Sequence, residues 1–164
     1  MKTYVLLSLL AVLLCGGCTK IDLAPANYNN CKINGTSWAA GCSTAFSDCK
    51  TARISNHNTT FILSGSNDGS QAVSIALIDS LGLHSGEYQL TYSPNGFGGN
   101  VKDYNKSFQY NFITDSNNRG KINLVFDNAN KRVSGTYYFR AKFEQSADVV
   151  NITQGRFSLP CTSN

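Results

Sequence analysis

Acidic side chains are scarce in this sequence, and glutamate is the scarcest: its 164 residues include only Glu87 and Glu144. A glycoside hydrolase needs two carboxyl groups roughly 5–9.5 Å apart in a cleft. Both glutamates instead fall on the polar faces of predicted strands and read as solvated surface groups. Histidine is just as sparse: His57 lies in the polar turn "SNHNTT" and His84 in "LGLHSGEY" at the start of a strand. Neither has a partner at metal-ligand spacing. No serine sits in a strand-turn-helix nucleophile elbow. "TDSNNRG" places Asp115, Asn117 and Gly120 as a calcium loop does, but Arg119 stands where a ligand oxygen is wanted and the closing glutamate is missing. It reads as a hairpin turn, as does "SNDGSQ" with its Asp68-Gly69 pair. No metal and no cofactor is expected.

Runs are missing too. The basic residues (Lys32, Arg53, Lys102, Lys106, Arg119, Arg140 and Arg156 among them) are scattered, and the formal charge of +4 is mild. The one adjacent pair, Lys131-Arg132, falls in a turn, so nucleic-acid binding has no electrostatic footprint. No window of ten residues carries helical periodicity. The apolar run from Tyr4 to Leu14 is too short for a spanning helix, which takes about 20 residues.

What is there begins with that run. Lys2 precedes it and "CGGC" ends it, the grammar of a bacterial signal peptide over residues 1–17. Gly16 and Gly17 let the chain enter a peptidase before Cys18, whereas Leu13 and Leu14 before Cys15 do not. "LCGGC" resembles the lipobox of bacterial lipoproteins, which implies acylation of Cys18. Two or three acyl chains hold a protein on a membrane without any span. Residues 18–30, with Pro25 and no periodicity, read as the lipidated N-terminus and a flexible tether. Loss of Lys2 leaves thirteen basic against ten acidic residues.

Residues 31–161 suffice for one hydrophobic core, with 162–164 as a tail. An oxidising compartment makes the even set Cys31, Cys42, Cys49 and Cys161 read as two disulfides rather than a zinc site, since these four lack paired Cys-x-x-Cys spacing. Three connectivities are open. The preferred one is Cys42–Cys49, across "CSTAFSDC", with Cys31–Cys161 clasping the first and last strands at roughly 5 kcal/mol on the loop-entropy account.

Period-two alternation dominates this domain. In "RVSGTYYFRAKFE" it puts Val133, Tyr137, Phe139, Ala141 and Phe143 on one face, with Tyr138 among the polar residues of the other. "KINLVFD" (Ile122, Leu124, Phe126) pairs with it through "DNANKR" as a hairpin. "QAVSIALID", "TTFILSG", "GEYQLTY" and "SFQYNFIT" follow suit, and "NITQGRFSLPC" changes phase near Gln154-Gly155, which marks a bulge. Trp38 reads as a core or rim anchor. The expected fold is all-β: an antiparallel sandwich or flattened barrel of about eight or nine strands, with a lipocalin-like barrel as the alternative.

"INGTSWAA", "SGEYQL", "GKINLVFDNANKRVSGTYYF" and "ITQGRFSL" occur in that order. Together they resemble an uncharacterised family of small Bacteroidota lipoproteins, known as a domain of unknown function. The resemblance implies an exported β domain on a lipid anchor and supplies no catalytic residues. Within the domain, "TYSPNGFGGNVKDYNKSF" is a long connection whose Tyr92, Phe97 and Tyr104 are candidate rings for stacking on a sugar or a partner. The expectation is a non-catalytic module in the bacterial cell envelope, anchored at the outer membrane on its periplasmic or surface face. Its partner would be a glycan or an envelope protein. An accessory lipoprotein without ligand is the alternative, and a hydrolase with an unrecognised site comes third.

Overall fold

Alternation of buried and exposed side chains organises nearly every strand of the structure, a computed structural model that describes residues 26–41, 50–55, 59–67, 70–91, 98–105, 111–143 and 145–163. Eleven strands follow in chain order: β1 (Tyr28–Ile33), β2 (Thr36–Ala39), β3 (Lys50–Ser55), β4 (Thr60–Asn67), β5 (Gln71–Ile78), β6 (Gly86–Leu90), β7 (Gly98–Asp103), β8 (Asn111–Ile113), β9 (Gly120–Asp127), β10 (Arg132–Phe143) and β11 (Val149–Ser163). No described residue is helical.

Hydrogen bonding joins all eleven into one sheet that folds back on itself. One layer runs β2-β1-β11-β10-β9-β6 and the other β3-β4-β5-β7-β8. Two seams close them. The end of β11 runs beside β3 (Cys161 opposite Ala52), and the end of β10 runs beside β8 (Phe143 opposite Phe112). The result is a flattened barrel, with the core held between the layers by rings such as Phe61 of β4 and Phe157 of β11, whose centroids are 6.2 Å apart. Val73, Ile75, Leu77, Ile122, Leu124, Val133, Tyr137, Phe139 and Ala141 are buried as their alternation predicts, and Tyr138 is half exposed on the other face.

Several expectations change. The strands number eleven rather than eight or nine, and the sheet is mixed, because β11 and β3 run parallel. Strand β7 occupies the middle of what read as one long connection. Its sequence carries Gly98 and Gly99 where an apolar residue would reveal it, and the Phe139 ring lies against Gly99 instead. "TDSNNRG" is not a hairpin turn: β8 and β9 do not pair but follow one another along the same edge of β10, so the segment is a corner between layers. Asp115 accepts bonds there from the backbone amides of Asn117 and Asn118 and from the Asn118 side chain. Strand β1 starts at Tyr28, inside the expected tether, and Asn29 is buried.

The sulfur clasp is corrected as well. Cys31 and Cys161 are free thiols. Asn30 pairs with Arg156, so Cys161 lies five positions farther along β11, about 17 Å at the strand rise and far beyond disulfide reach. First and last strands do adjoin, but through the β1–β11 backbone ladder. Cys18, Cys42 and Cys49, with the expected Cys42–Cys49 bond, lie outside the described residues.

Candidate functional site

The deviation from regular pairing in β11 shapes the outer face of the first layer. Tyr137 of β10 is opposite Gly155 and Phe139 is opposite Ile152, which leaves Thr153 and Gln154 facing one residue. Both point outward, and Gln154 takes a positive φ of 54°. Such a bulge bends and twists its strand. Beside it, β1 and β2 form a hairpin around Asn34-Gly35, whose φ values of 49° and 84° fit a two-residue primed turn. Asn34 fastens that turn to β11: its Oδ1 accepts from the Asn151 amide at 2.8 Å and its amide donates to the Asn151 carbonyl at 2.9 Å.

Between bulge and hairpin lies an open groove of about 640 Å³. Tyr28, Asn30 and Lys32 of β1 line it, with Ser37 of β2 and with Gln154 and Arg156 of β11. Register explains the grouping: Asn30 faces Ala39 on one side and Arg156 on the other, and Lys32 faces Ser37 and Thr153. Among the described residues the walls therefore combine a phenol ring, two carboxamides, a hydroxyl and two cations with Cys31, Trp38 and Ala39, and they hold no carboxylate. Among the described residues the ion pair is Lys121–Glu87 at 2.8 Å, in which the Glu87 hydrogen bond and charge raise the Lys121 pKa, so neither Lys32 nor Arg156 is neutralised. Arg132, beyond the groove's Tyr28 end, donates to Asn27 Oδ1 and Ser158 Oγ and holds the residue before β1 against the layer.

Behind the groove, on the inner face, sits a polar cluster. The Tyr137 ring crosses Gly155, where a Cβ would come within 2.4 Å of it. Its hydroxyl donates to Asn29 Oδ1 at 2.8 Å, and Cys31 lies within hydrogen-bonding reach of the same hydroxyl. Burial pushes the Cys31 thiol up to about 11, with the Tyr137 hydrogen bond opposing the rise. The Tyr137 phenol is held protonated by burial first and by Cys31 second. Neither group is poised to act as a nucleophile or base near neutral pH. Asp115 is the contrary case: burial raises its pKa, but the bonds from Asn118 and Asn117 and the charge of Lys142 outweigh that and lower it.

Tyr104 is placed elsewhere. It follows β7, and its amide donates to the Ser70 carbonyl at the β4–β5 turn of the second layer, away from the groove strands. Tyr92 and Phe97 lie outside the described residues, as do His57 and Glu144. His84 is exposed and engaged with the Tyr88 hydroxyl at 3.1 Å. Glu87 is the exposed partner of Lys121. Among the described residues no three His, Cys, Asp or Glu side chains come together to hold a metal ion, and no helix is long and apolar enough to cross a membrane. Trp38 is buried against Gly65, as an anchor should be. The groove residues escape the sequence reading because Tyr28 and Asn30 fall in the expected tether and Lys32 and Arg156 stand isolated along the chain. The phase change at Gln154-Gly155 was their one visible signal.

A family model described as a domain of unknown function (DUF6252) matches residues 27–159, which spans all eleven strands but the end of β11 from Pro160 onward. No curated protein and no solved structure matches the chain.

Proposed function

Because the chain belongs to the DUF6252 family, whose description names no activity, we propose from its own geometry that this is a non-catalytic saccharide-binding module of the bacterial cell envelope, held at the outer membrane by acylated Cys18. One observation carries the reading: the open groove on the outer face of β1, β2 and β11, where Tyr28 offers a ring face and Asn30, Ser37 and Gln154 offer hydrogen-bonding groups. Rings for stacking with a few convergent polar groups are what a polyhydroxylated ligand requires. A non-catalytic role agrees with the scarcity of carboxylates and with thiols and phenol held protonated.

Glycan-array binding tests this with three proteins: the native chain, Tyr28→Ala and Tyr104→Ala. The groove reading expects loss of signal in Tyr28→Ala and retention in Tyr104→Ala; the reverse moves the site to the second layer. Mass spectrometry of the mature protein tests the anchor, which requires an N-terminal diacyl or triacyl Cys18. A second reading, an envelope-protein partner, draws on Ile62 and Ile78, exposed by 40% and 49% on adjacent strands of the second layer. Ile62→Ser with Ile78→Ser would then abolish capture of a membrane protein and leave saccharide binding intact.

A further inference from the structure

The three strands that line the groove and their neighbour β10 share a property that the chain as a whole does not. β1, β2, β10 and β11 contain no aspartate or glutamate, and they carry Lys32, Arg132, Arg140, Lys142 and Arg156. These strands are consecutive in the layer, in the order β2-β1-β11-β10. None of the five basic side chains is buried, because each occupies an outward position of the alternation. Asp127 lies opposite Arg132 and Asp115 lies near Lys142 at the rim of this face, but no described carboxylate forms an ion pair with Lys32, Arg140 or Arg156, so the part around the groove keeps a positive potential. Inside that field, Lys32 and Arg156 flank Asn30 and reach the groove itself, while Arg132 is spent on Asn27 and Ser158.

We infer that the groove selects an anionic saccharide, one bearing carboxylate, sulfate or phosphate groups, with Arg156 and Lys32 reading the charge and Tyr28 supplying a stacking surface. The inference rests on the saccharide-binding reading above and adds the class of ligand to it. Arg156 provides a planar fork suited to two oxygens of one acidic group, and Lys32 a point charge. Asn30 and Gln154 have donors and acceptors left for hydroxyls. A neutral sugar would gain nothing from the two cations, whereas an acidic group pairs with them.

Calorimetric titration of the full mature domain tests this with matched probes: tetragalacturonate against its carboxyl-reduced form, and a dextran sulfate fragment against unsulfated dextran of equal length. At least one acidic probe is expected to bind and its neutral partner not, and binding should weaken as salt rises. Arg156→Gln and Lys32→Gln, both of exposed or half-exposed residues and checked for unchanged melting, should each weaken the acidic probe roughly tenfold. Equal binding of acidic and neutral probes, indifferent to both variants, would overturn the charge selection and leave the saccharide module standing. Acidic-probe binding unchanged in both variants but lost in Arg140→Gln with Lys142→Gln would overturn the groove as the site. Sedimentation with phosphatidylglycerol vesicles, without affinity for any saccharide, would overturn both readings in favour of a lipid surface. Silence toward every probe overturns both as well.

Discussion

Tyr137 shows how a single side chain settles the inside of this layer. Its ring needs Gly155 beneath it, and its hydroxyl reaches across β11 to the β1 side chains Asn29 and Cys31. Tyr137→Phe leaves the buried Asn29 Oδ1 without its donor and takes the hydroxyl from beside the thiol. The expected loss is about 1–3 kcal/mol, measured by urea denaturation. The thiol makes a second prediction, in pH. Burial raises the Cys31 pKa from 9.0 to about 11, so the folded chain keeps a proton that the unfolded chain releases between those values. Its stabilisation is complete below about pH 9 and is lost as pH climbs toward about 11. Denaturation midpoints should fall across that window, and Cys31→Ala should flatten the fall by about 2 kcal/mol. A midpoint equally steep in the variant would assign the alkaline loss to other groups.

At the scale of elements, the two longest strands, β10 and β11, form the spine on which the other strands are hung. β11 serves β1 and then β3 along one edge, and β10 serves β9 and then β8. A long strand can do this only if it bends, and the Thr153-Gln154 bulge supplies one bend. Gln154 adopts a left-handed backbone at φ 54°, which a β-branched side chain resists strongly and glycine accepts freely. Gln154→Val is expected to destabilise the fold by about 1–2 kcal/mol, and Gln154→Gly to be neutral or mildly stabilising. Thermal melts of the two variants decide it. Loss in both would mean that the Gln154 side chain, rather than its backbone, maintains the bulge.

For the whole molecule, closure is a matter of backbone pairing. The seam between layers at β11 and β3 uses Cys161, Thr162 and Ser163 opposite Ala52, Arg53 and Ile54. If a Cys31–Cys161 bond had braced the ends, removing it would cost about 5 kcal/mol. With both thiols free, Cys161→Ser should shift stability by less than about 1 kcal/mol, within the range of ordinary surface changes. Deleting residues 161–164 is the stronger perturbation, because it strips β3 of its neighbour and exposes a sheet edge. Lower stability and concentration-dependent association are expected, by denaturation and light scattering. A truncated chain as stable and monomeric as the full one would make the seam dispensable.

The strands with regular alternation were legible without coordinates. In β5, β9 and β10 the side-chain period of two is written directly in the apolar residues, because each residue's side of the sheet follows from its parity. The hairpin of β9 with β10 and the bulge near Gln154 were legible for the same reason, being one an uninterrupted pattern and the other a break in it. Strand β7 was not, since Gly99 faces inward and its packing partner, Phe139, comes from β10. Nor were the parallel seam, the free state of Cys31 and Cys161, or the groove. Each of these depends on which strands lie side by side and in what register. Register is set by contacts between residues far apart in the chain, so Tyr28, Lys32 and Arg156 become one site only when β1 is laid against β11.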